Sequence, residues 1–360
     1  MTDVAGQSGS APSAGEVARP HTDPQAVLTP LTPSAMFLVV TIDKGGEKAA
    51  REVLGDVNDL RKSVGFRIPE GQLTCVVGIG SDAWDRLLTG PRPAKLHPFV
   101  ELDGGKHKAP ATPGDLLFHI RANRMDLCFE LAQLITDRLD GAATVVDEVH
   151  GFRSFDERDL LGFVDGTANP EGDPAAESVI VGDEDADFAG GSYVITQRYL
   201  HDLKGWGRLP IEQQEQAMGR TKLDDVEIPD DLKAPDSHVK LNTIKDANGV
   251  QHDIMRFNMP FGRVGSGEFG TFFIGYARDP GVTEHMLRNM FIGDPPGTTD
   301  RILDFSTAHT GNLFFVPTLS FLDDLPGAPG SVDEESGMAV PPAVQVAAGD
   351  AGKSGPSGKS

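Results

Sequence analysis

Short apolar runs alternate with amphipathic stretches from residue 34 to residue 322. Runs of β-branched and other apolar residues predict strands, and apolar positions spaced three and four apart predict helices. In the first part, the pattern predicts strands over 36–42, 72–79, 115–121 and 143–149, and helices over 47–64, 81–88 and 124–139, the second with Ser81 as its N-cap. Apart from the short second helix, this is the element order of a ferredoxin-like unit.

A second round of the same pattern follows. It predicts strands over 192–199, 271–277 and 313–316, and helices over 211–219 and 280–291, the latter with Asp279 as its N-cap. Residues 114–120 and 270–276 form a repeat-like pair, each followed by a helix. Because no glycine-rich phosphate-binding signature follows a strand, we expect an α+β fold of two ferredoxin-like halves with antiparallel sheets, over 34–155 and 156–322.

Composition limits the location and the partners of the protein. Residues 1–33 and 323–360 are rich in small residues and proline, so we predict that both are disordered tails. No apolar run approaches the about 20 residues of a membrane-spanning helix, and no export signal begins the chain, so we expect a cytoplasmic protein without a membrane partner. The net charge of −22 argues against nucleic acid as a partner, and the two cysteines, Cys75 and Cys128, are predicted to be buried and reduced.

One carboxylate occupies an unusual place in the sequence. In the segment Leu-Leu-Gly-Phe-Val-Asp-Gly-Thr-Ala-Asn-Pro, residues 160–170, Asp165 comes directly after an apolar run and directly before Gly166. The glycine lets the backbone turn sharply, which leaves the carboxylate at the edge of a buried space. The alternative is an ordinary Asp-Gly turn that closes a strand.

Three more polar residues are candidates for chemistry. His238 follows an acidic loop and begins an apolar stretch; it is either a hydrogen-bonded structural residue or a ligand such as haem iron requires. Arg256 and Asn258 are two apart, so an extended segment places both on one face, while residues 257, 259 and 261 take the other. That polar face either lines a pocket or lies at a solvated strand edge.

The segment from Gly162 to Pro170 resembles the Gly-x-x-Asp-Gly motif of the dye-decolorising peroxidase family, and the chain looks like a bacterial B-type member. The similarity extends over essentially the whole predicted body, including His238 and the segment that contains Arg256 and Asn258. It implies haem b enclosed between two ferredoxin-like halves, with hydrogen peroxide as oxidant. It also implies a ferryl intermediate that oxidises aromatic donors or dyes.

The resemblance also implies roles for individual residues. His238 corresponds to the axial ligand of the haem iron, Asp165, Arg256 and Asn258 to the peroxide side, and Asp300 to the carboxylate on the far nitrogen of His238. We expect the charge of Arg256 to lower the pKa of Asp165. The alternatives for Asp300 are a helix cap or a pair with Arg301. Arg220 is a candidate partner of a haem propionate, because a guanidinium matches a carboxylate in two places, or else it forms a surface salt bridge.

Other functions remain open at this point. A haem- or porphyrin-binding protein, or one that releases iron without peroxidase turnover, would use the same pocket. We expect a homo-oligomer, and members of the family that the chain resembles, when they have long C-terminal tails, are often packaged in an encapsulin shell through an apolar tail end. Here the last residues are not apolar, so the tail end does not support packaging. Oxidation of manganese is in doubt, because Ala168 and Gln251 leave Glu227 without acidic companions.

Overall fold

The computed structural model describes residues 23–166 and 169–330. The strands are β1 (Ser34–Ile42), β2 (Thr74–Gly80), β3 (Leu102–Asp103), β4 (Lys108–Ala109), β5 (Leu116–Ala122), β6 (Ala143–Phe152), β7 (Ser192–His201), β8 (Ile244–Lys245), β9 (Gln251–His252), β10 (Met255–Arg256), β11 (Met259–Arg263), β12 (Glu268–Ala277), β13 (Ser306–Ala308) and β14 (Asn312–Val316). The helices are α1 (Glu47–Gly65), α2 (Ser81–Leu87), α3 (Met125–Arg138), α4 (Asp173–Val179), α5 (Leu203–Trp206), α6 (Ile211–Met218), α7 (His238–Asn242), α8 (Pro280–Phe291) and α9 (Leu319–Asp323). Every predicted strand and helix is present, with ends within three residues of the prediction.

The predicted α+β fold of two ferredoxin-like halves is confirmed by the strand order. The first half is ordered β2-β5-β1-β6 and the second β10-β12-β7-β14, all with antiparallel pairing. When the four strands of each half are numbered along the chain, their order in the sheet is therefore second, third, first, fourth. The repeat-like segments 114–120 and 270–276 overlap the third strand of the first half and of the second half, respectively. Pairing of β14 with β2 joins the halves into one 10-stranded sheet. The domain boundary between residues 155 and 156 stays a prediction.

Both faces of the sheet are covered, which explains why the strands are continuous apolar runs. In β1, Met36 and Leu38 pack toward the helices in one core cluster, and the alternating Phe37 and Val39 pack into a second cluster on the other face. Helix α1 buries one stripe against the first cluster, at positions that recur every three or four residues. The stripe consists of Ala50, Val53, Leu54, Val57, Leu60 and Val64.

The predicted disordered tails are wrong for the parts that the structure describes. The segment 23–33 packs on the sheet: Gln25 Nε2 donates to Val77 O at 3.0 Å, Gln25 Oε1 accepts from Val77 N at 2.7 Å, and Val27 is 1% exposed. At the other end, Arg51 Nη2 donates to Pro326 O at 2.8 Å. Side chains of the body supply hydrogen bonds that the tail composition does not reveal. Residues 1–22 and 331–360 of the predicted tails lie outside the described residues.

One of the two predicted helix caps is confirmed, and both cysteines are buried as predicted. Asp279 caps α8 as predicted, since its side chain accepts from Gly281 N, but Ser81 is the first helical residue of α2 and its hydroxyl accepts instead from Arg92 at 2.8 Å. Both cysteines are buried and free, and burial raises the pKa of Cys75 and Cys128 to about 12. Within residues 23–166 and 169–330, no helix has the length and apolar character needed to cross a bilayer.

Candidate active site

A cavity of about 700 Å³ lies in the second half, between the sheet and helices α7 and α8. This volume is typical of sites for cofactor-sized ligands. Its sheet wall comes from β7 and β12, through Tyr199, His201, Thr271 and Phe273. Much of the remaining lining is apolar: Leu161, Phe163, Met218, Ile244, Ile254, Met286, Leu287, Met290, Ile302 and Leu303.

The segment that contains Asp165 is a tight loop fixed on both sides. Asp159 N donates to Phe163 O at 2.8 Å, and Asp159 Oδ1 accepts from Phe163 N at 2.9 Å. Trp206 Nε1 donates to Leu161 O at 2.8 Å. Gly166 has φ +84°, a left-handed conformation that disfavours other residues, so the chain turns there and leaves Asp165 on the cavity wall. The Asp-Gly turn and the cavity position therefore coexist.

On one side of the cavity, His238 is held by a buried carboxylate. Its Nδ1 lies 2.7 Å from Asp300 Oδ2, and Asp300 is fully buried. Asn242 Nδ2 donates to His238 O at 2.8 Å and lies 3.2 Å from Nδ1. A carboxylate that accepts from Nδ1 leaves Nε2 with its lone pair, the arrangement of a metal-binding histidine. His238 was predicted from sequence, whereas Asn242 was missed.

Asp300 combines two roles that the sequence analysis treated as alternatives. Its Oδ2 contacts His238, and its Oδ1 accepts from Ile302 N at 3.0 Å, capping the short helix Arg301–Asp304. The alternative of a pair with Arg301 is wrong, because Arg301 Nη1 donates to Asp304 at 2.6 Å. Because both carboxylate oxygens of Asp300 have hydrogen-bond partners, the carboxylate keeps one orientation toward His238.

The structure also brings Asp165, Arg256 and Asn258 to the same cavity. Asn258 Oδ1 accepts from Ile274 N at 3.3 Å. The intervening Phe257 is buried in the core on the opposite face, as the two-residue alternation predicted. Strand β10 lies at an edge of the sheet, but Arg256 and Asn258 line the cavity, which favours the pocket-lining alternative.

The electrostatics of Asp165 differ from the expectation. Burial raises the pKa of the Asp165 carboxyl, and the charge of Arg256 opposes this effect without reversing it; smaller contributions from Gly166 N, His238 and Asn258 also lower the pKa. The prediction that Arg256 depresses the pKa below its ordinary value is wrong in net direction, because desolvation is the largest effect. Asp165 and His238 both line this cavity.

A second carboxylate, that of Asp159, also lines the cavity. Burial raises the pKa of Asp159 to about 7, and the nearby charge of Asp165 contributes in the same direction. Asp159 lines the cavity and also closes the loop through its bond to Phe163 N. Two neighbouring carboxyl groups with raised pKa values are suited to holding and exchanging protons.

Asn169 is a positioning residue that the sequence analysis did not select. Its Nδ2 donates to Arg256 O at 2.8 Å, and its Oδ1 accepts from Arg256 N at 3.0 Å. The amide thus fastens the loop of Asp165 to the segment of Arg256, 87 residues further along the chain. Its place in the motif Asp-Gly-Thr-Ala-Asn-Pro was the available signal, but a polar residue after a turn has many ordinary explanations.

Arg220 lines the cavity, but its charge is engaged within the chain. Its Nε donates to Asp225 Oδ1 at 2.8 Å, its Nη2 to Asp225 O at 2.7 Å, and Nη1 lies 3.4 Å from Glu227. The two donors on one edge of the Arg220 guanidinium, Nε and Nη2, are therefore already bound to Asp225 and not available to a propionate carboxylate. The structure favours the salt-bridge alternative over the predicted role as partner of a propionate.

The sequence analysis left the oxidation of manganese in doubt, because Glu227 has no acidic companions there. Its neighbours include Asp225 and Asp230, but the cations Arg220 and Lys233 lie between these acids and pair with them. Over the ranges 23–166 and 169–330, no group of three or more His, Cys, Asp or Glu side chains could hold a metal ion. Ala168 lies outside the described residues.

The lining fits haem on several counts. Apolar walls suit the porphyrin faces, and the cavity has a cofactor's volume. His238 presents an imidazole fixed by a carboxylate, the usual ligand set for haem iron. Asp165, Arg256 and Asn258 bring proton-exchanging and charge-stabilising groups to the same cavity.

Comparison with known proteins agrees with this geometry. The family models "Dyp-type peroxidase, N-terminal" and "Dyp-type peroxidase, C-terminal" match residues 24–153 and 156–321. A curated dye-decolorizing peroxidase from Rhodococcus erythropolis is 63% identical over 318 residues, which is 88% of this chain and 93% of that protein.

Two solved structures are similar over most of their length. The encapsulated DyP-type peroxidase from Mycobacterium smegmatis is 61% identical, with a TM-score of 0.84, covering 86% of this chain and 100% of that chain. A DypB variant in complex with heme from Rhodococcus jostii RHA1 is 57% identical, with a TM-score of 0.82, covering 84% and 98%. Similarity to an Escherichia coli deferrochelatase is lower, 27% over 252 residues and 60% of each chain.

Proposed function

This chain belongs to the Dyp-type peroxidase family and is a haem-dependent peroxidase, and on that premise we propose which of its residues hold the cofactor and which act on hydrogen peroxide. The observation that carries the assignment is one cavity lined by a carboxylate-bound histidine and by an acid, a guanidinium and an amide. When bound, haem supplies the redox-active iron at which peroxide is reduced. We propose that the haem is of the b type.

His238 would hold the haem iron, and Asp300 would position its imidazole. The negative charge of Asp300 at Nδ1 makes the imidazole a stronger electron donor, which favours oxidised states of a bound iron. The cap to Ile302 N keeps the carboxylate from rotating away. Asn242 fixes the backbone carbonyl of the histidine at the start of α7.

Asp165 carries the proton. It accepts a proton from one oxygen of hydrogen peroxide and returns it to the other oxygen, which leaves as water. Burial raises the pKa of the Asp165 carboxyl, so it holds a proton more readily than a free aspartate does, which suits a group that must both take and give a proton. Asp159, with a pKa raised to about 7, is a second site at which a proton is held beside it.

Arg256 stabilises charge and Asn258 orients the peroxide. As the bond between the oxygens lengthens, negative charge grows on the departing oxygen, and a fixed guanidinium lowers the free energy of that state. Asn169 holds the backbone of Arg256 on both its N–H and its carbonyl, so the cation needs no rearrangement during the reaction. Aromatic donors or dyes are the proposed reductants.

The alternative of iron release without turnover is distinguished by one experiment. The full chain loaded with haem is mixed with hydrogen peroxide and an anthraquinone dye, with a ferrous-iron chelator present. We expect many dye molecules to be oxidised per haem, no iron captured by the chelator, and a pyridine haemochrome spectrum of haem b. Iron capture with loss of the haem band and less than one dye oxidised per haem would support the alternative instead.

Packaging and assembly remain proposals. The M. smegmatis relative is described as encapsulated, and that supports the proposal that this chain is likewise held in an encapsulin shell in the cytoplasm. A truncation should start at residue 331, because Pro326 and Gly327 bind the body through Arg51 and Thr89. Co-purification of a co-expressed encapsulin shell protein with the full chain and not with the truncated chain would support packaging, and equal co-purification would oppose it. Light scattering of the purified protein gives its molar mass in solution and so tests the predicted homo-oligomer.

A further inference from the structure

A buried tyrosine and a buried histidine form a hydrogen-bonded pair that the proposed reaction does not use. Tyr276, on β12, belongs to the second core cluster, on the face of the sheet away from the cavity. Its hydroxyl oxygen lies 2.8 Å from Nδ1 of His119, on β5, and both side chains are fully buried. The rings of Phe37 and Phe257 pack on His119, with centroids 4.8 and 5.9 Å away. External donors therefore do not contact the pair.

In this pair the phenol donates its hydrogen to the imidazole. Burial and the charge of Arg121 lower the pKa of His119 well below its ordinary value, so the ring is neutral and one of its nitrogens can accept. Burial raises the pKa of Tyr276, so the hydroxyl keeps its hydrogen. Within residues 23–166 and 169–330, His119 Nδ1 is the acceptor in reach of that hydroxyl, and His119 Nε2 has no hydrogen-bond partner. A fixed base therefore stands at the hydroxyl.

The surroundings of the pair differ from those of an apolar core. Arg121, on the same strand as His119, is 1% exposed, and its guanidinium carbon lies 4.1 Å from the centre of the Phe257 ring. Its Nη2 binds the segment 23–33, but Nε and Nη1 have no hydrogen-bond partner in the part of the chain that the structure describes. Buried polar groups without partners reduce stability, so packing alone does not account for this cluster.

The pair is connected to the cavity through one side chain. Phe257 stands between Arg256 and Asn258, which both line the cavity. The Phe257 ring packs edge-on against Tyr276, with 5.8 Å between the centroids. Strand β12 gives a second connection, because Phe273 lines the cavity three residues before Tyr276, about 10 Å along a strand. Electrons tunnel through protein over such separations, so Tyr276 can donate an electron to an oxidised group in the cavity.

The other two tyrosines lack a base at the hydroxyl. Tyr199 lines the cavity, but its hydroxyl donates to the amide oxygen of Gln197 at 2.7 Å. The Tyr193 oxygen accepts from Lys95 N at 3.0 Å. An oxidised phenol is strongly acidic and releases its proton, and an amide oxygen does not take up a proton at neutral pH. Loss of an electron is therefore more favourable at Tyr276 than at the other two.

We propose that Tyr276 and His119 form an internal electron donor to the peroxide-oxidised haem. Tyr276 gives up one electron, which reduces the oxidised haem by one equivalent; its O–H bond breaks, and an N–H bond forms at His119 Nδ1. The pair then holds one oxidising equivalent of peroxide as a neutral phenoxyl radical beside an imidazolium.

The charge of Arg121 makes this storage reversible. It disfavours the imidazolium, so the proton returns to Tyr276 when an aromatic donor, acting through the haem, replaces the electron. The proposal rests on the proposed function, because peroxide supplies the oxidising equivalent.

Electron paramagnetic resonance of conservative variants tests the proposal. Haem-loaded wild type, Tyr276→Phe, Tyr199→Phe and His119→Gln are each mixed with one equivalent of hydrogen peroxide without a donor and frozen at set times. Wild type that carries ring-deuterated tyrosine identifies the signal as tyrosyl, because deuteration narrows it. Tyr199→Phe is the matched control, since it removes the same hydroxyl from a tyrosine that lines the cavity. Haem content and thermal unfolding are compared for all four proteins.

We expect a tyrosyl signal in wild type and in Tyr199→Phe, and none in Tyr276→Phe. His119→Gln keeps a hydrogen-bonding side chain without a base, so its tyrosyl signal should form at least about tenfold more slowly. An unchanged signal in Tyr276→Phe, or no signal in a wild-type protein whose haem band has shifted with peroxide, would overturn the internal donor and leave the proposed function intact. A haem band that does not respond to peroxide would overturn the proposed function itself.

Discussion

Replacing Arg256 with leucine is expected to slow the reaction of the haem-loaded protein with hydrogen peroxide by at least about a thousandfold. A guanidinium keeps its charge throughout the physiological pH range, whereas burial raises the pKa of Asp165 and so disfavours the charged form of that carboxyl. Arg256 therefore supplies the permanent charge opposite the departing oxygen. Stopped-flow absorbance of the haem band, at several peroxide concentrations, gives the second-order rate constant.

Two further variants separate charge from shape. Arg256→Lys keeps a positive charge and loses the planar donor fork, so its rate constant should lie between those of wild type and Arg256→Leu. Arg263→Leu removes an exposed arginine from the neighbouring strand β11 and should behave as wild type. If Arg256→Leu bound haem and reacted within about threefold of the wild-type rate, Arg256 would not be the group that stabilises charge.

Replacing His238 with alanine is expected to weaken haem binding by at least about a hundredfold. The variant loses the imidazole and leaves Asp300, a fully buried carboxylate, without the partner at its Oδ2. Absorbance titration of the apoprotein with haem gives the affinity. His150→Ala, at an exposed histidine of β6, is the control and should titrate like wild type.

Asp300→Asn distinguishes a positioning role from a purely structural one. The amide keeps an oxygen that accepts from Ile302 N, so the helix cap is retained, but the negative charge at Nδ1 of His238 is lost. We expect haem to bind and the reduction potential of the bound iron to rise. A potential equal to that of wild type would show that Asp300 acts only as the cap.

The fold was largely predictable because its signals are local. The strands and helices follow from apolar periodicity, and the two rounds of elements predicted two related halves. The strand order β2-β5-β1-β6 and its counterpart in the second half confirm this. What periodicity could not indicate is the pairing of Phe314 with Gly80, which joins the halves, because strand partners distant in sequence leave no periodic trace.

The candidate site was predictable where a side chain's chemistry stood out from its surroundings, as for Asp165 and His238. It was not predictable where a residue acts through contacts across the chain. Asn169 binds the backbone of Arg256, Arg121 anchors the segment 23–33, and Arg220 pairs with Asp225. The direction of the Asp165 pKa shift was wrong for a related reason, because burial depends on packing from the whole fold.

The most direct test of the central claim is the absorption spectrum of the haem-loaded wild-type protein before and after one equivalent of hydrogen peroxide, followed by one addition of an aromatic donor. We predict a haem band that shifts at once to a new spectrum, is stable for long enough to be recorded, and returns to the original spectrum as the donor is oxidised. A band that only bleaches, with no shifted spectrum and no oxidised donor, would contradict the assignment of this cavity as a peroxidase active site.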